Sequence, residues 1–310
     1  MVQKSGDHQG RVNRHQPRWL AHAGDYLFIA PAAVFLLVFM VYPVFFNVSL
    51  SLRDVTASTL LDTSQNTFVG LRNYAEILRN PAFGTTALNT LLFTFFSLVF
   101  QMGLGMALAV FYTRRFPGAT LMRGLYLVAW TIPIVVSGSV FRWLLEGEAG
   151  VINFFLRTLH LISGPIFWIS DANTALISVI FVNIWLGLPF NLTLLIAALQ
   201  GLPQEVYEAA AIDGAKGWQT FRFITLPMLR PALLSILVLG LIYTFKVFDL
   251  VFIVTGGGPL NASDVVSTLA YKLVFRQFLF GQGAALLNLL FMVLFVLSLL
   301  YIRTTAREEA

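Results

Sequence analysis

Cysteine is absent from the 310 residues, so this chain can form neither a disulfide framework nor a thiolate metal site. Charge is scarce as well. Asp, Glu, Lys and Arg make up 11% of the chain, against about 25% in an ordinary soluble domain. So few charges cannot cover a water-facing surface, and lipid takes the place of water as solvent. There are four lysines, Lys4, Lys216, Lys246 and Lys272, and none follows a glycine. The phosphate-cradling loop G-x-x-x-x-G-K-[ST] is therefore missing, and with it that route to ATP hydrolysis. Three of the four histidines (His8, His15, His22) lie widely spaced near the N-terminus and the fourth is His160, a pattern that disfavours a metal centre. No G-x-S-x-G nucleophile elbow occurs. The chain reads as a pathway with no catalytic residues, no metal and no cofactor of its own.

What is present is apolar. Hydrophobic residues make up 57%, with 29 phenylalanines and a mean hydropathy of +0.78. A hydrocarbon core of ~30 Å needs about 20 apolar helical residues. Six runs meet that length, near 26–46, 86–111, 124–145, 174–199, 232–254 and 283–302. The expected fold is all-α, with six transmembrane helices over residues 26–310 behind a tail at 1–25. The first run is too long for a secretory signal and lacks a small-residue cleavage site, so it reads as a retained anchor.

Lys and Arg decide the orientation. With the N-terminus in the cytoplasm, twelve of them fall on the inner side: Lys4, Arg11, Arg14, Arg18, Arg114, Arg115, Arg123, Lys216, Arg222, Arg230, Arg303 and Arg307. The outer side holds six: Arg53, Arg72, Arg79, Arg157, Lys272 and Arg276. Both termini are thus expected in the cytoplasm. The outer connections, near 47–85, 146–173 and 255–282, are long enough to hold elements of their own. Short interfacial helices are expected near 71–79 and 265–275.

The residues 208–227, EAAAIDGAKGWQTFRFITLP, lie between the fourth and fifth runs and hence in the cytoplasm. A plain linker needs no acidic helix, no glycine stop and no proline. Pro203 suits a first helical turn, and Glu205 and Glu208 favour the positive end of the helix dipole. Gly214 is placed to end that helix. A second short helix is expected near 217–225, carrying Trp218, Phe221 and Phe223.

The pattern Glu208-Ala209-Ala210, Gly214, Ile224-x-Leu226-Pro227 resembles the EAA motif of ATP-binding-cassette importer permeases at every defined position. Phe68-x-Gly70-Leu71-x-Asn73-Tyr74, Asn89-Thr90, Phe248-Asp249 with Thr255-Gly256-Gly257-Gly258-Pro259, and Gly281-x-Gly283-Ala284-Ala285 are similar to the carbohydrate, maltose-permease-like branch. The resemblance covers nearly all of the chain after the tail. It implies a type I (MetI-like) importer transmembrane domain in the bacterial cytoplasmic (inner) membrane. It implies a coupling segment at 204–227, with Glu208, Ala209, Ala210, Asp213, Gly214 and Pro227 meeting separate ATPase subunits, where ATP and Mg would bind. It further implies a second permease subunit, usually as a heterodimer, and an external solute-binding protein, with no nucleic acid involved.

Polar residues inside spans mark a solute path by default. Asn183, Trp185 and Asn191 cluster in the fourth run beside Pro189. Tyr243, Lys246 and Asp249 follow in the fifth, with Gln101 midway along the second. Two roles suit Asn183 and Asn191: solute contacts, or hydrogen bonds between helices. Lys246 and Asp249, three apart on an expected helix face, suit a structural pair or gate more than a sugar contact. The competing function is a stand-alone secondary transporter or channel. It would need no coupling helix, and Asp249 is the only acidic residue within the six runs.

Overall fold

The computed structural model describes residues 23–59, 66–113 and 116–308. Most of the tail expected at 1–25, and Arg114 and Arg115, lie outside the described residues. The chain divides into two compact units, residues 1–49 and residues 50–310. Every regular element among the described residues is helical, apart from the isolated bridges Arg53–Phe68 and Thr56–Leu279.

In the first unit α1 (Ala23–Leu36) passes through a π turn (Leu37–Val41) into α2 (Tyr42–Ser51), whose end enters the second unit. The π turn has a local cause. Pro43 has no N–H to offer the carbonyl of Phe39, and the Tyr42 N–H bonds instead to the Leu37 carbonyl, five residues back. The segment Phe28–Ser51 has a mean hydropathy of 2.4, enough to cross a bilayer.

The second unit is built on two long helices. α3 (Arg72–Arg79) leads into α4 (Pro81–Thr113), which starts with Pro at its first position and the Asn80 side chain accepting the Ala82 N–H at 2.9 Å. After it come α5 (Ala119–Thr131), α6 (Ile134–Leu144), α7 (Val151–Thr158) and α8 (Ala175–Gln200). α4 and α8 form the most extensive helix pair in the unit. Further along lie α9 (Gln204–Ile212), α10 (Gly217–Thr220), a π turn (Phe221–Thr225), α11 (Leu226–Met228), α12 (Arg230–Phe245), α13 (Asp249–Val254), α14 (Val266–Tyr271) and α15 (Phe280–Glu308).

Among the described residues four helices are long and apolar enough to span a membrane, six if each of two bent pairs, Ala119–Thr131 with Ile134–Leu144 and Gly217–Met228 with Arg230–Phe245, counts as one. The run expected at 124–145 is one of these pairs. α5 and α6 meet at 97° because Pro133 cannot extend α5 and forces Ile132 into an extended conformation, φ −69° and ψ 127°. The run expected at 232–254 is also interrupted. α12 ends at Phe245, and Phe248 (φ −127°, ψ −57°) breaks the path before α13. Lys246 and Asp249 therefore do not share a helix face, and no ion pair joins them.

The short helices expected near 71–79 and 265–275 form as α3 and as α14 with its following π turn. Their buried polar residues bind the connections together. Asn73 Nδ2 donates to the carbonyls of Ser51 at 2.8 Å and Arg53 at 2.9 Å. Asn89 Nδ2 serves the carbonyls of Ala262 at 3.0 Å and Asp264 at 3.1 Å, and Thr90 Oγ1 accepts the Val266 N–H at 2.9 Å. Asp264 is fully buried, which its partners allow: Lys272 Nζ lies 2.5 Å from Oδ2, and Thr268 Oγ1 donates to Oδ1 at 2.9 Å.

Candidate functional site

The two breaks and the two long helices enclose a cavity of ≈ 340 Å³. α4 contributes Gln101, the α5–α6 bend Trp130, Ile132 and Ile134, and α8 Asn183, Gly187, Phe190 and Asn191. α12 and its break add Tyr243, Thr244 and Val247. Residues 183, 187 and 191 repeat at i, i+4 and i+8, one stripe of a single helix. Irregular backbone at membrane depth is tolerated where it is packed in protein or lines a cavity, and both breaks do the latter.

Three aromatic rings flank the space. Phe190 meets Trp130 at 5.8 Å and Tyr243 at 5.9 Å between ring centroids. Across from them is an amide chain. Gln101 Nε2 donates to the Asn183 carbonyl at 2.8 Å, and Gln101 Oε1 accepts from Asn191 Nδ2 at 3.3 Å. Asn191 Nδ2 also donates to the Gly187 carbonyl at 2.9 Å. Gly187 makes the bridge possible, since a Cβ there would lie 2.2 Å from Gln101 Nε2. Two buried polar atoms of this group, Asn183 Nδ2 and Asn191 Oδ1, have no protein partner. The side chains of Gln101, Asn183, Asn191, Tyr243 and Thr244 give the wall polar surface beside its aromatic rings, which suits a hydroxylated ligand.

Of the six residues expected along the path, the structure brings Asn183, Asn191 and Tyr243 to the cavity wall. Trp185 points elsewhere and packs on Phe141 at 5.1 Å. Lys246 is exposed, its Nζ 5.3 Å from the centre of the Tyr243 ring, and does not line the cavity. Asp249 is exposed at the first turn of α13. Trp130 and Phe190 were not read as wall residues from the sequence. Their signal was the helical stripe through Asn183 and Asn191, and the proline bend after Trp130.

At the other end of α8 lies the segment 204–228. Pro203 (φ −63°, ψ 127°) precedes α9 as its cap residue, one position before the expected first turn. The helix closes as the glycine spacing suggested. Gly214 adopts φ +76°, its N–H bonds to the Ala211 carbonyl at 3.1 Å, and the Ala215 N–H reaches back to Ala210 at 2.9 Å. That is a Schellman closure, and the left-handed residue is where glycine is least strained. Lys216 then opens α10, its N–H held by Gln219 Oε1 at 2.8 Å. Tyr207 and Thr225 hydroxyls, 3.0 Å apart, tie the two arms together, with Ala210 buried near their turn. Glu208 Oε1 accepts from Gln204 Nε2 at 2.8 Å, and Glu208, Ala209, Asp213, Gly214 and Pro227 are all exposed. Ile212, Trp218 and Phe223 are exposed as well, at 87%, 71% and 71%. The segment thus presents exposed acidic and apolar side chains that no other described residue covers.

A family model described as "Binding-protein-dependent transport system inner membrane component" matches residues 101–305, from Gln101 through the cavity wall and the 204–228 segment. The chain belongs to that family. The trehalose/maltose transport system permease protein of Thermococcus litoralis is 33% identical over 90% of this chain and 92% of that protein. The sulfoquinovosyl glycerol transport system permease protein of Agrobacterium fabrum is 30% identical over 96% and 98%. Among solved structures, a chain of a bacterial ABC transporter importing the acidic polysaccharide alginate matches with a TM-score of 0.80 and 22% identity, over 94% of this chain and 99% of that one. The fold is therefore the type I importer transmembrane fold, and this member of the family is an inner-membrane permease component of such a system.

Proposed function

We propose that this chain forms one half of the translocation path of an ATP-driven importer for a sugar or closely related carbohydrate. The observation that carries the reading is the cavity itself. It combines polar side chains with aromatic faces, the two kinds of surface that recognise a sugar ring and its hydroxyls. The named sugar transporters among its relatives support the same solute class. A second permease subunit, a heterodimeric partner, faces the cavity, and an extracytoplasmic binding protein delivers the solute.

The segment 204–227 is the coupling element. Glu208, Ala209, Ala210, Asp213, Gly214 and Pro227 set its shape and its contact with an ATPase subunit, where ATP and Mg bind and ATP is hydrolysed. Its closed hairpin transmits nucleotide-driven movement as a rigid body to α8 and α12, a two-state element biased from outside. Both termini lie in the cytoplasm, as the twelve-to-six distribution of Lys and Arg favours. The reading is tested by purifying the chain in mild detergent with its candidate partners and measuring ATP-dependent sugar uptake after reconstitution. Uptake that proceeds without any ATPase partner would favour the stand-alone transporter instead.

A further inference from the structure

The segment between α8 and α12 sorts its charges by sign. Residues 202–214 hold Glu205, Glu208 and Asp213 and no Lys or Arg. Residues 215–230 hold Lys216, Arg222 and Arg230 and no Asp or Glu. All of these side chains are exposed. Gly214 divides the two arms at its left-handed turn, and the Tyr207–Thr225 contact holds them together. A surface of one charge that attracts one arm repels the other.

The basic arm also has a direction. Gly217–Met228 meets α12 at 67°. A span tilts about 20° from the bilayer normal on average, so an arm bent this far from α12 runs closer to the membrane plane than to the normal. Thr225 and Leu229 are buried, while Trp218, Arg222 and Phe223 are exposed. The arm thus packs on its own chain along one side and turns aromatic rings and cations off the other. Rings and cations on a helix at the foot of a span are the composition of a helix lying in the headgroup layer. Arg303 adds a cation at the same end of α12. It is exposed two residues beyond Tyr301, whose hydroxyl lies 2.8 Å from Ser235 Oγ.

We infer that the basic arm, residues 216–228, docks on anionic lipid headgroups of the inner leaflet and leaves the acidic arm to the ATPase subunit. The inference rests on 204–227 being the cytoplasmic coupling element. The chain has no cysteine, so one introduced cysteine gives it a unique spin label, and wild type treated alongside gives the background from the other subunits. Phe223→Cys and Ile212→Cys are labelled in the complete importer, in nanodiscs of phosphatidylcholine alone or in equal parts with phosphatidylglycerol. Oxygen, which concentrates in lipid, and a neutral nickel chelate, which stays in water, report what surrounds each label. With phosphatidylglycerol, the ratio of oxygen to nickel access at 223 should exceed that at 212 at least about threefold. It should fall at least about twofold without the anionic lipid, or in about 1 M salt, where the Debye length is about 3 Å. Adding Lys216→Gln/Arg222→Gln should give the lower ratio throughout, and Lys216→Arg/Arg222→Lys should keep the lipid response. Trp218→Cys reports the same contact if Phe223→Cys fails to assemble. A ratio at 223 no higher than at 212, or unchanged by the anionic lipid, overturns the inference. So does a 223 label that both reagents reach only when the ATPase subunits are left out, which would give the basic arm to the ATPase. If the ATPase subunits shield the 212 label and the 223 label stays open to nickel, this inference alone falls. If the 212 label is equally open to nickel with and without them, the coupling reading falls with it.

Discussion

Adding one methyl group at Gly187 separates a bridged pair of helices from an ordinary apolar contact. In the Gly187→Ala variant the new Cβ would stand 2.2 Å from Gln101 Nε2 and 2.5 Å from its Cδ, well inside contact distance. The Gln101 side chain must leave. Its bonds to the Asn183 carbonyl and to Asn191 go with it. Each net hydrogen bond is worth about 1 kcal/mol, and each buried amide atom left unmet adds about 1–3 kcal/mol. Alanine returns about 1 kcal/mol through helix propensity. The two bonds less the propensity gain come to about 1 kcal/mol, and one amide atom left unmet raises the loss to about 2–4 kcal/mol, hence a lower unfolding midpoint for the assembled importer. Two control glycines on α4 calibrate the result. A Cβ at Gly103 meets nothing within 4 Å, so Gly103→Ala should be neutral or slightly stabilising. At Gly105 a Cβ meets Leu195 Cδ1 at 3.1 Å and Asn191 Cβ at 3.4 Å, and the cost should be intermediate. Thermal unfolding in detergent and sugar uptake in liposomes measure both consequences. Equal midpoints and equal uptake for Gly187→Ala and wild type would refute the bridge.

Further outcomes are expected elsewhere in the chain. Glu208→Lys or Gly214→Pro should abolish solute-stimulated ATP hydrolysis while leaving membrane insertion intact; normal stimulated ATPase activity in either reconstituted variant would remove the coupling assignment. Asn89→Ala takes the hydrogen-bond donor from the 261–264 carbonyls, so hydrogen exchange across 256–266 should rise at least about tenfold, the equivalent of one net bond. Unchanged protection there would show that the connection is held by other contacts. Lys246→Met removes a cation that rests on the Tyr243 ring and does not itself line the cavity; it should alter uptake less than about threefold, whereas Asn183→Leu should cost about tenfold or more. A larger loss in Lys246→Met than in Asn183→Leu would place the solute contact at the α12–α13 break.

The parts of the molecule read correctly from sequence are those set by neighbours a few residues apart. Gly214 ends α9 because the closing bonds span only residues 209–215. Pro133 bends the third run through its own ring and its effect on Ile132, although the sequence carried no indication that the bend reaches 97°. Trp185 was grouped with Asn183 and Asn191 for its polarity and position. Two residues along a helix turn the side chain by about 200°, which carries it off the stripe and onto Phe141. The Lys246–Asp249 pairing assumed an unbroken helix, and the break after Phe245 has no glycine or proline to announce it. Nothing near Asp264 in the sequence marks it as buried; its burial against Lys272 and the Asn89 contact joins residues up to 175 positions apart.

Hydropathy and charge counting alone determined that this chain lives in a bilayer, that it carries no phosphate loop, and that a charged hairpin interrupts its apolar runs. Those properties are sums and local spacings, and any folded arrangement would retain them. Tertiary structure decided which polar groups meet. Gln101 gains its role only because α4 and α8 approach closely at Gly187, and the cavity is lined by residues from two separate breaks in the helices. The orientation of the Gln101 amide is fixed by the Asn183 carbonyl on a neighbouring helix, a relation between distant residues that no periodicity records.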